Sequence, residues 1–314
     1  MKLLLQLSRD CLELSKEEAK AVLGRKDIQI HDNILLVNSR KKYSNLAYTH
    51  KAFEFLFSCK ADDIEQSINK FNWNKVIKGS YSVKKLKTKI STEKRIAVLI
   101  WRTLKNPKID LKNSQYKIHV LSYEDKIFFC KLLWENPKDY MQRKAHLRPI
   151  LYPSSLHPKI AKACVNLLNA GKGSIVDPFC GTGGILIEAS LLGHKIIGYD
   201  INDKMLKSCE KNFKHYNIQN YKLKNKDALT LDKRYNFIIS DLPYGLNTKN
   251  IPNSLYFEFL KKIKENKVKT AVVMFPHFVK YKPILKKLKM KIINEFSIYI
   301  HKSLTKKIIF MKNP

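Results

Sequence analysis

Four consecutive residues, Asp241-Leu-Pro-Tyr244, offer groups that suit the transfer of a methyl group to a planar aromatic amine. They follow an apolar run, 235–240, and therefore stand at the end of a predicted strand. The Asp241 carboxylate and the Leu242 carbonyl are predicted to accept the two amine hydrogens and expose the nitrogen lone pair, and Asp241 then takes up a proton. Pro243 fixes the turn, and Tyr244 is predicted to stack on the ring. The alternative is a plain turn without chemistry.

A second motif, Val176-Asp-Pro-Phe-Cys-Gly-Thr-Gly-Gly184, has the order of a nucleotide-cofactor loop. A predicted strand ends at Asp177, and a glycine-rich turn leads into a helix, which lets the backbone approach a ligand closely. Asp200 ends the next strand, 19 residues after Gly181, a spacing that suits a carboxylate accepting both hydroxyls of a ribose. These features fit a dinucleotide or S-adenosylmethionine.

Two further features favour S-adenosylmethionine over a dinucleotide. The third glycine of a dinucleotide fingerprint would fall at Leu186, whose side chain would hinder close packing of helix on strand. Asp177 is placed to hold a methionine amino group, and Asp227, after the third strand, is placed to bind the adenine amine. Three carboxylates at successive strand ends suit a cofactor with a cationic amine and a sulfonium. The alternative is that these carboxylates cap helices, and it is strongest for Asp227.

The elements that must position these residues alternate between strand and helix from about Gly173 onward. This rhythm is typical of a doubly wound parallel sheet, and the seven-strand layout with a closing antiparallel pair indicates the α/β class with a Rossmann-like methyltransferase domain. A dehydrogenase would instead keep six parallel strands. The predicted strands are 174–177, 195–200, 221–226, 235–240, 270–275, 292–301 and 306–311, and the predicted helices are 158–169, 185–192, 203–216 and 255–265.

The first 150 residues lack that rhythm and are predicted to form two small α+β units. In the first unit, strand 2–7 precedes a helix over 16–23 with Ser15 as its N-cap, a hairpin over 27–37 and a second helix over 46–58. The second unit contains strand 81–86, a helix over 91–104 capped by Ser91 or Thr92, and strands 117–122 and 127–132. A proline-containing connector, 148–153, leads into the catalytic half.

Basic side chains strongly outnumber acidic ones, with 60 Lys and Arg against 27 Asp and Glu and a net charge of +33. Both halves share the excess: residues 1–150 carry 31 basic and 16 acidic side chains, and residues 151–314 carry 29 and 11. This balance favours a polyanionic partner such as nucleic acid. AT-rich coding explains the choice of Lys over Arg, but it does not explain the scarcity of Asp and Glu.

Composition also limits the class of protein. Six scattered cysteines without a Cys-x-x-Cys pair predict neither a zinc site nor a disulfide framework, which fits a reducing cytosol. No run of about 18 apolar residues is present, so no membrane span is predicted. The apolar start of the chain is too short for a signal peptide and is predicted to be a buried strand. A cytoplasmic protein without a bound metal is expected.

With these motifs, the chain resembles the archaeal tRNA guanosine methyltransferases that modify the exocyclic N2 amine of position 10. The stretches that carry the resemblance are the linker 147–161, the cofactor motif 176–189 and the C-terminal stretch 300–306, Ile-His-Lys-Ser-Leu-Thr-Lys. The resemblance implies a ferredoxin-like domain at 1–64, a THUMP tRNA-binding domain at 65–147 and an S-adenosylmethionine-dependent methyltransferase domain at 148–314. It also implies tRNA as the partner and admits a small zinc-binding activator subunit.

The resemblance extends the predicted site beyond the residues argued above. The expected cofactor-binding residues are Asp177, Phe179, Gly181, Thr182, Gly183, Asp200, Ile201, Asp227, Ala228 and His157, and the expected catalytic residues are Asp241, Leu242, Pro243 and Tyr244. For His157 a capping role is an equal alternative, and Ser303 and Thr305 either contact RNA or form the last hairpin turn. The family has Asp/Asn-Pro-Pro-Tyr, so Leu242 departs from its pattern; a main-chain carbonyl acceptor survives that change.

The sequence is also compatible with other functions. The same chemistry at tRNA position 6, or on adenine in DNA, would keep the fold, although residues 1–150 argue against DNA. A different alternative is a protein that binds tRNA but is not an enzyme, because its catalytic half is vestigial. Leu186 and the absence of a catalytic His or Tyr-x-x-x-Lys near the site argue against an NAD-linked oxidoreductase. The sequence leaves open mono- or dimethylation and the need for an activator.

Overall fold

The computed structural model describes residues 1–24, 28–86, 92–153, 155–231, 235–244 and 253–314, with the backbone alone at 253. Within these ranges the chain forms two compact units. The first unit comprises Met1–Arg9, Leu23–Ser44 and Thr49–Asn136, and the second comprises Asp10–Val22, Asn45–Tyr48 and Pro137–Pro314.

Strands and helices of the described residues are numbered in chain order. The strands are β1 (Lys2–Leu7), β2 (Gln29–His31), β3 (Ile34–Asn38), β4 (Thr49–Lys60), β5 (Ser80–Leu86), β6 (Lys108–Ile109), β7 (Tyr116–Tyr123), β8 (Lys126–Glu135), β9 (Ile175–Asp177), β10 (Ile196–Asp200), β11 (Tyr221–Asn225), β12 (Phe237–Asp241), β13 (Thr270–Pro276), β14 (Ile292–His301) and β15 (Leu304–Lys312). The helices are α1 (Leu12–Leu23), α2 (Ile64–Lys70), α3 (Glu93–Thr103), α4 (Pro158–Leu168), α5 (Gly184–Leu191), α6 (Asp203–His215), α7 (Asn253–Glu265) and α8 (Tyr281–Lys287).

The second unit is built on a seven-stranded sheet in the order β11-β10-β9-β12-β13-β15-β14. Its strands pair in parallel up to β13, whereas β15 runs antiparallel to both β13 and β14. The predicted seven-stranded sheet with a closing antiparallel pair is therefore confirmed. Because the chain crosses from β11 back to β12 beside β9, the strand order reverses at β9, where sheets of this type bind ligands at their carboxyl edge.

Two apolar cores cover the faces of this sheet. On one face, helices α4, α5 and α6 pack through residues such as Ile187, Cys164 and Phe213, and on the other, α7 packs through Phe259 and Ile263. Strand β13 is buried at every position, as expected for a central strand covered on both faces. The two layers hold the strand ends, and with them the polar residues of the carboxyl edge, in fixed positions.

The first unit contains an eight-stranded sheet in the order β2-β3-β1-β4-β8-β7-β5-β6. The antiparallel pairing of β4 with β8 joins strands from both predicted N-terminal units into one sheet. Aromatic residues including Phe57, Trp73 and Phe129 pack together on it, and Phe57 stacks on Phe129 with ring centroids 4.6 Å apart. The division into a ferredoxin-like domain and a THUMP domain stays a prediction.

The helix predicted over 46–58 is wrong, because this segment forms strand β4 instead. β4 lies inside the sheet and pairs with β1 on one side and β8 on the other. A register shift between Phe55 and Phe57 changes the alternation along the strand. Phe53 and Phe55 pack with one core cluster, whereas Leu56 and Phe57 pack with another. A strand with a bulge lacks the simple period of two that identifies a strand from its sequence.

Helix α1 begins four residues earlier than predicted, and Ser15 is not its N-cap. Ser15 lies buried inside the helix, where its hydroxyl donates to the carbonyl of Cys11 at 2.9 Å, a bond that serine forms within helices. Most of α1 belongs to the second unit. There the buried Glu18 accepts hydrogen bonds from the backbone N–H groups of Ala47 and Tyr48 and from the Asn166 amide at 2.7–2.8 Å.

Helix α3 confirms one of the two caps proposed for it. The Thr92 hydroxyl accepts from the backbone N–H of Arg95 at 3.1 Å, whereas Ser91 lies outside the described residues. The predicted hairpin and strands of the first 150 residues correspond to β1, β2, β3, β5, β7 and β8.

Candidate functional site

Asp177 is the most buried carboxylate at the carboxyl edge of the sheet and ends β9. It is 1% exposed, and its Oδ1 accepts from the Ser240 hydroxyl at 2.6 Å and from the backbone N–H of Phe179 at 3.1 Å. Burial raises the pKa of Asp177 to about 7, against the effect of these two hydrogen bonds, and the carboxylates of Asp241 and Asp200 raise it further. Among the described residues no cationic side chain pairs with Asp177.

The glycine turn after β9 brings bare backbone to this edge. Gly181 and Gly183 adopt positive φ angles of 52° and 83°, a region that favours glycine. A Cβ atom on Gly181 would meet no atom within 4 Å, so this backbone faces open space. The Thr182 side chain is buried, and its hydroxyl lies 3.4 Å from that of Ser155 in the linker 147–161.

Gly183→Ala is expected to destabilise the protein by about 2–4 kcal/mol, because backbone strain adds to overpacking. A Cβ atom at Gly183 would lie 2.6 Å from the Cys209 sulfur and 2.7 Å from the Phe213 ring. Gly193→Ala is the matched control, since its φ of 89° imposes the same strain and its Cβ would meet nothing within 4 Å. Denaturant unfolding of both variants would separate packing from strain, and equal losses would contradict the packing argument.

Asp200 and Asp227 differ in their surroundings. Asp200 ends β10, where its Oδ2 accepts from the backbone N–H of Gly181 at 2.9 Å and its Oδ1 from that of Asn202 at 2.8 Å. Burial raises the pKa of Asp200. Asp227 accepts from the backbone N–H of Leu229 at 2.8 Å and caps a short 3-10 helix, Ala228–Thr230. The capping role that was the alternative for Asp227 is therefore observed.

Three more predicted cofactor residues lie near these carboxylates in the chain. Ile201 follows Asp200 and is 74% exposed, an unusual exposure for a large apolar side chain. Ala228 is buried beside Asp227. The Phe179 ring packs edge-on against Phe259, with centroids 5.0 Å apart. An exposed apolar side chain next to Asp200 offers a surface on which a flat ring can stack.

His157 is the N-cap of α4. Its Nδ1 accepts from the backbone N–H of Lys159 at 3.2 Å, and its ring lies edge-on to Tyr140. Burial lowers the pKa of His157, which favours the neutral imidazole that this acceptor role requires. The capping alternative is therefore observed, and contact with a cofactor stays a prediction.

The tetrapeptide after β12 lies on the same edge. Asp241 ends the strand, one residue after Ser240, whose hydroxyl bonds to Asp177. The carbonyl of Pro243 already accepts from the Tyr256 hydroxyl at 3.0 Å. The role of the Leu242 carbonyl as the second acceptor stays a prediction. Tyr244 is half-buried, and burial raises its pKa.

Leu242 has a structural role that proline could not fill. Its backbone N–H donates to the carbonyl of Met274 at 3.1 Å, and its side chain is 1% exposed in the core under α7. This hydrogen bond and the buried side chain fix the backbone at position 242. The departure at position 242 is therefore compatible with an ordered site.

Replacing Leu242 by proline is expected to destabilise the protein by about 1–3 kcal/mol, because the Met274 carbonyl loses its buried donor. Leu242→Met keeps both the N–H and the side-chain volume and is expected to cost less than about 1.5 kcal/mol. Chemical denaturation of the two variants would test this difference. A proline variant as stable as the methionine variant would argue against the hydrogen bond's contribution.

Sequence reasoning missed Lys306 as a residue of this site. Lys306 lies on β15 with 3% of its surface exposed, and its Nζ forms an ion pair with Oδ2 of Asp241. The same Nζ lies 4.7 Å from the centroid of the Tyr244 ring. The available signal was a lysine in an alternating apolar pattern, Leu304, Ile308 and Phe310, but Lys307 beside it gave the appearance of a surface pair.

Ser303 and Thr305 are part of the hairpin between β14 and β15. The Ser303 hydroxyl hydrogen-bonds with Nδ1 of His301 at 3.1 Å, and the backbone N–H of Thr305 donates to Nδ1 of His277 at 3.3 Å. These bonds agree with the turn alternative for the two residues.

No group of three or more His, Cys, Asp or Glu in the described ranges could hold a metal ion. Likewise, no described helix is long and apolar enough to cross a membrane.

The edge of the sheet thus fits a cofactor that brings positive charge and a flat base. Within the described residues, β9 ends at a buried carboxylate that has no cationic partner, and a glycine turn follows it. The adjacent strand β10 ends at a second carboxylate, which has an exposed apolar neighbour. On the other side of β9, Asp241 is the last residue of the neighbouring strand β12 and Tyr244 follows three residues later. A seven-stranded sheet with this edge defines the class of Rossmann-like methyltransferases.

The chain belongs to the family of RMKL-like methyltransferase domains, whose pattern residues 145–306 match. This membership confirms the predicted enzyme class and S-adenosylmethionine as its methyl donor. Residues 15–211 also match a family described as DNA methylase. That second match includes the glycine turn but ends before Asp241, so it does not reach the tetrapeptide.

Relatives and a solved structure agree with this assignment. The chain is 29% identical to a tRNA (guanine(10)-N2)-dimethyltransferase of Methanothermobacter thermautotrophicus, over 98% of each chain. It is also 29% identical to the enzyme of that name from Pyrococcus abyssi, over 96% of each chain. The crystal structure of TrmN from Thermus thermophilus superposes with a TM-score of 0.56 at 18% identity, covering 99% of this chain and 100% of the other. The resemblance identified from the motifs is confirmed, and the superposition confirms the fold.

Proposed function

We propose that this protein transfers a methyl group from S-adenosylmethionine to the exocyclic N2 amine of guanosine 10 in tRNA. The observation that carries the proposal is the arrangement at the carboxyl end of β12, where a carboxylate, a main-chain carbonyl and a tyrosine ring follow one another, next to the strand β9 that leads into the glycine turn. Relatives that match nearly the whole chain bear the name of this activity. Both lines of support point to an amine on a planar base as the methyl acceptor.

The cofactor would be held by the carboxyl edge of β9, β10 and β11. Asp177 would bind the methionine ammonium through Oδ2, since its Oδ1 already accepts two hydrogen bonds. Asp200 would accept from the ribose hydroxyls, with Ile201 against the adenine. Asp227 would hold the adenine amine beside Ala228, and Gly181, Thr182, Gly183, Phe179 and His157 would line the remainder. The bound cofactor supplies an electrophilic methyl group on a sulfonium.

The chain's own contribution to the reaction would be made by the tetrapeptide. Asp241 and the Leu242 carbonyl would hold the two amine hydrogens of guanine, and Tyr244 would stack on the base once it is drawn out of its helix. Holding the nitrogen in line with the methyl group would account for much of the rate enhancement. Asp241 would then take the proton that the methylated nitrogen releases.

The first 147 residues would bind the tRNA. The predicted ferredoxin-like domain at 1–64 and THUMP domain at 65–147 would precede the methyltransferase domain at 148–314, and the excess of basic side chains would attract the phosphate backbone. The zinc-binding activator subunit and the cytosolic location stay predictions. Methyl transfer is therefore to be measured both with and without such a subunit.

Incubation of the purified chain with an unmodified tRNA transcript and labelled S-adenosylmethionine would test the proposal. We expect mass spectrometry of nuclease fragments to find methylated guanosine at position 10, and the mass to distinguish one methyl group from two. A transcript with inosine at position 10, which lacks the N2 amine, is the matched control and should accept no label. Label at position 6 would keep the chemistry and change the target. An absence of transfer with and without the activator would favour a binding protein.

A further inference from the structure

Lys306 is a buried cation in a strand that otherwise contributes apolar side chains to the core. Leu304, Ile308 and Phe310 occupy the alternate positions of β15 on the same side and are each at most 3% exposed. A lysine at such a position is costly because its ammonium loses hydration, and it is tolerated only with a partner. The position of Lys306 therefore requires an explanation beyond surface charge.

The partner of Lys306 is Asp241, two strands away. Met274 and Pro276 of the intervening strand β13 pair with Asp241 and Lys306 respectively, and the lysine side chain crosses β13 to reach the carboxylate. The ion pair uses Oδ2 of Asp241, and the ammonium also lies above the Tyr244 ring. One buried cation thus contacts two of the four residues of the tetrapeptide.

We propose that Lys306 is a positioning residue for methyl transfer: it holds Oδ2 of Asp241 and keeps that carboxylate charged, so that Oδ1 faces the target amine. This inference rests on the proposed function. As the bond between nitrogen and methyl carbon forms and the bond between carbon and sulfur breaks, an N–H bond of the amine breaks and its proton passes to Asp241. Lys306 keeps its own proton throughout.

The electrostatics of the pair support this role. Burial raises the pKa of Asp241, and the Lys306 ammonium opposes that rise through its charge and its hydrogen bond. The other titratable groups close to the pair are Asp177 on β9, Cys164 on α4 and Tyr244, none of which supplies a positive charge. Among the described residues, Lys306 is the group that opposes the effect of burial on Asp241, so its loss would raise the pKa of that carboxyl further.

The test is the pH profile of kcat for Lys306→Met, an apolar side chain of similar length. We expect kcat at neutral pH to fall by about 10²-fold and the acidic limb of the profile to move to higher pH, so that alkaline solution restores part of the rate. Lys306→Arg should keep the wild-type profile. Lys307→Met is the matched control, since the Lys307 ammonium bonds to the exposed Ser297 hydroxyl and not to Asp241.

Three results would overturn the inference. A fall in kcat by the same factor at every pH would mean a merely structural role, and an unchanged profile would mean no role. A rise in kcat would mean that the Lys306 ammonium obstructs the position that the target amine must occupy. An inactive wild-type enzyme would count against the proposed function instead. If Lys306→Met does not fold, the double variant Asp241→Asn/Lys306→Met still tests the pair. Because both buried charges are removed, this variant is expected to fold, and a double variant that also fails to fold would contradict the role of Lys306 as the partner of Asp241.

Discussion

Asp241→Asn is expected to lower the rate of methyl transfer by about 10³-fold or more, while tRNA and S-adenosylmethionine bind as they do to the wild type. The amide keeps the shape of the side chain but cannot accept the proton that the amine loses. It also presents an N–H group to the incoming amine in one of its two orientations. Single-turnover kinetics with saturating tRNA would measure the chemical step separately from binding.

The ion pair with Lys306 complicates this experiment in a predictable way. Removing the carboxylate leaves a buried ammonium without its counterion, a loss of about 3–5 kcal/mol in other buried pairs. Asp241→Asn combined with Lys306→Met removes both charges and is expected to recover much of that stability without recovering activity. A folded Asp241→Asn protein with the wild-type rate would exclude Asp241 as the proton acceptor.

Asp177→Asn is expected to weaken S-adenosylmethionine binding by about 10- to 100-fold. This factor corresponds to the free energy that a hydrogen bond to a charged group contributes in a buried site. The wild-type protein should show a matching pH dependence. The pKa of Asp177 is raised to about 7 by burial, so below pH 7 the carboxyl is protonated and cannot pair with the methionine ammonium. Affinity should therefore fall by about tenfold per pH unit below 7 and level off above it. Calorimetric titration on both sides of pH 7 would measure both effects.

A ligand without the amino acid part provides the control for this experiment. 5′-Methylthioadenosine keeps the adenine and the ribose hydroxyls but has no ammonium. Its affinity should not change in Asp177→Asn, and any pH dependence that it shows would come from Asp200, whose pKa burial also raises. Equal losses of affinity for both ligands would mean that Asp177 supports the fold of the pocket and does not contact the ammonium.

The sequence by itself determined the catalytic half in most respects. Asp177, Asp200 and Asp241 each follow a short apolar run, and the parallel arrangement of such runs brings their carboxyl ends to one edge without further information. Glycines 181 and 183 are needed for a turn with positive φ, and such local requirements are readable from residue types alone. The same holds for the caps of α3 and α4, where Thr92 and His157 bond to nearby backbone.

Only the tertiary structure decided the features that depend on distant partners. The segment predicted as a helix became β4 because β1 and β8 provide backbone partners on both sides. Helix α1 joined the second unit because buried Glu18 bonds to Ala47, Tyr48 and Asn166. Lys306 became part of the site because the pairing of β15 with β13 brings its ammonium to Asp241, 65 residues earlier. Local propensity encodes none of these contacts, since their free energy comes from groups far apart in the chain.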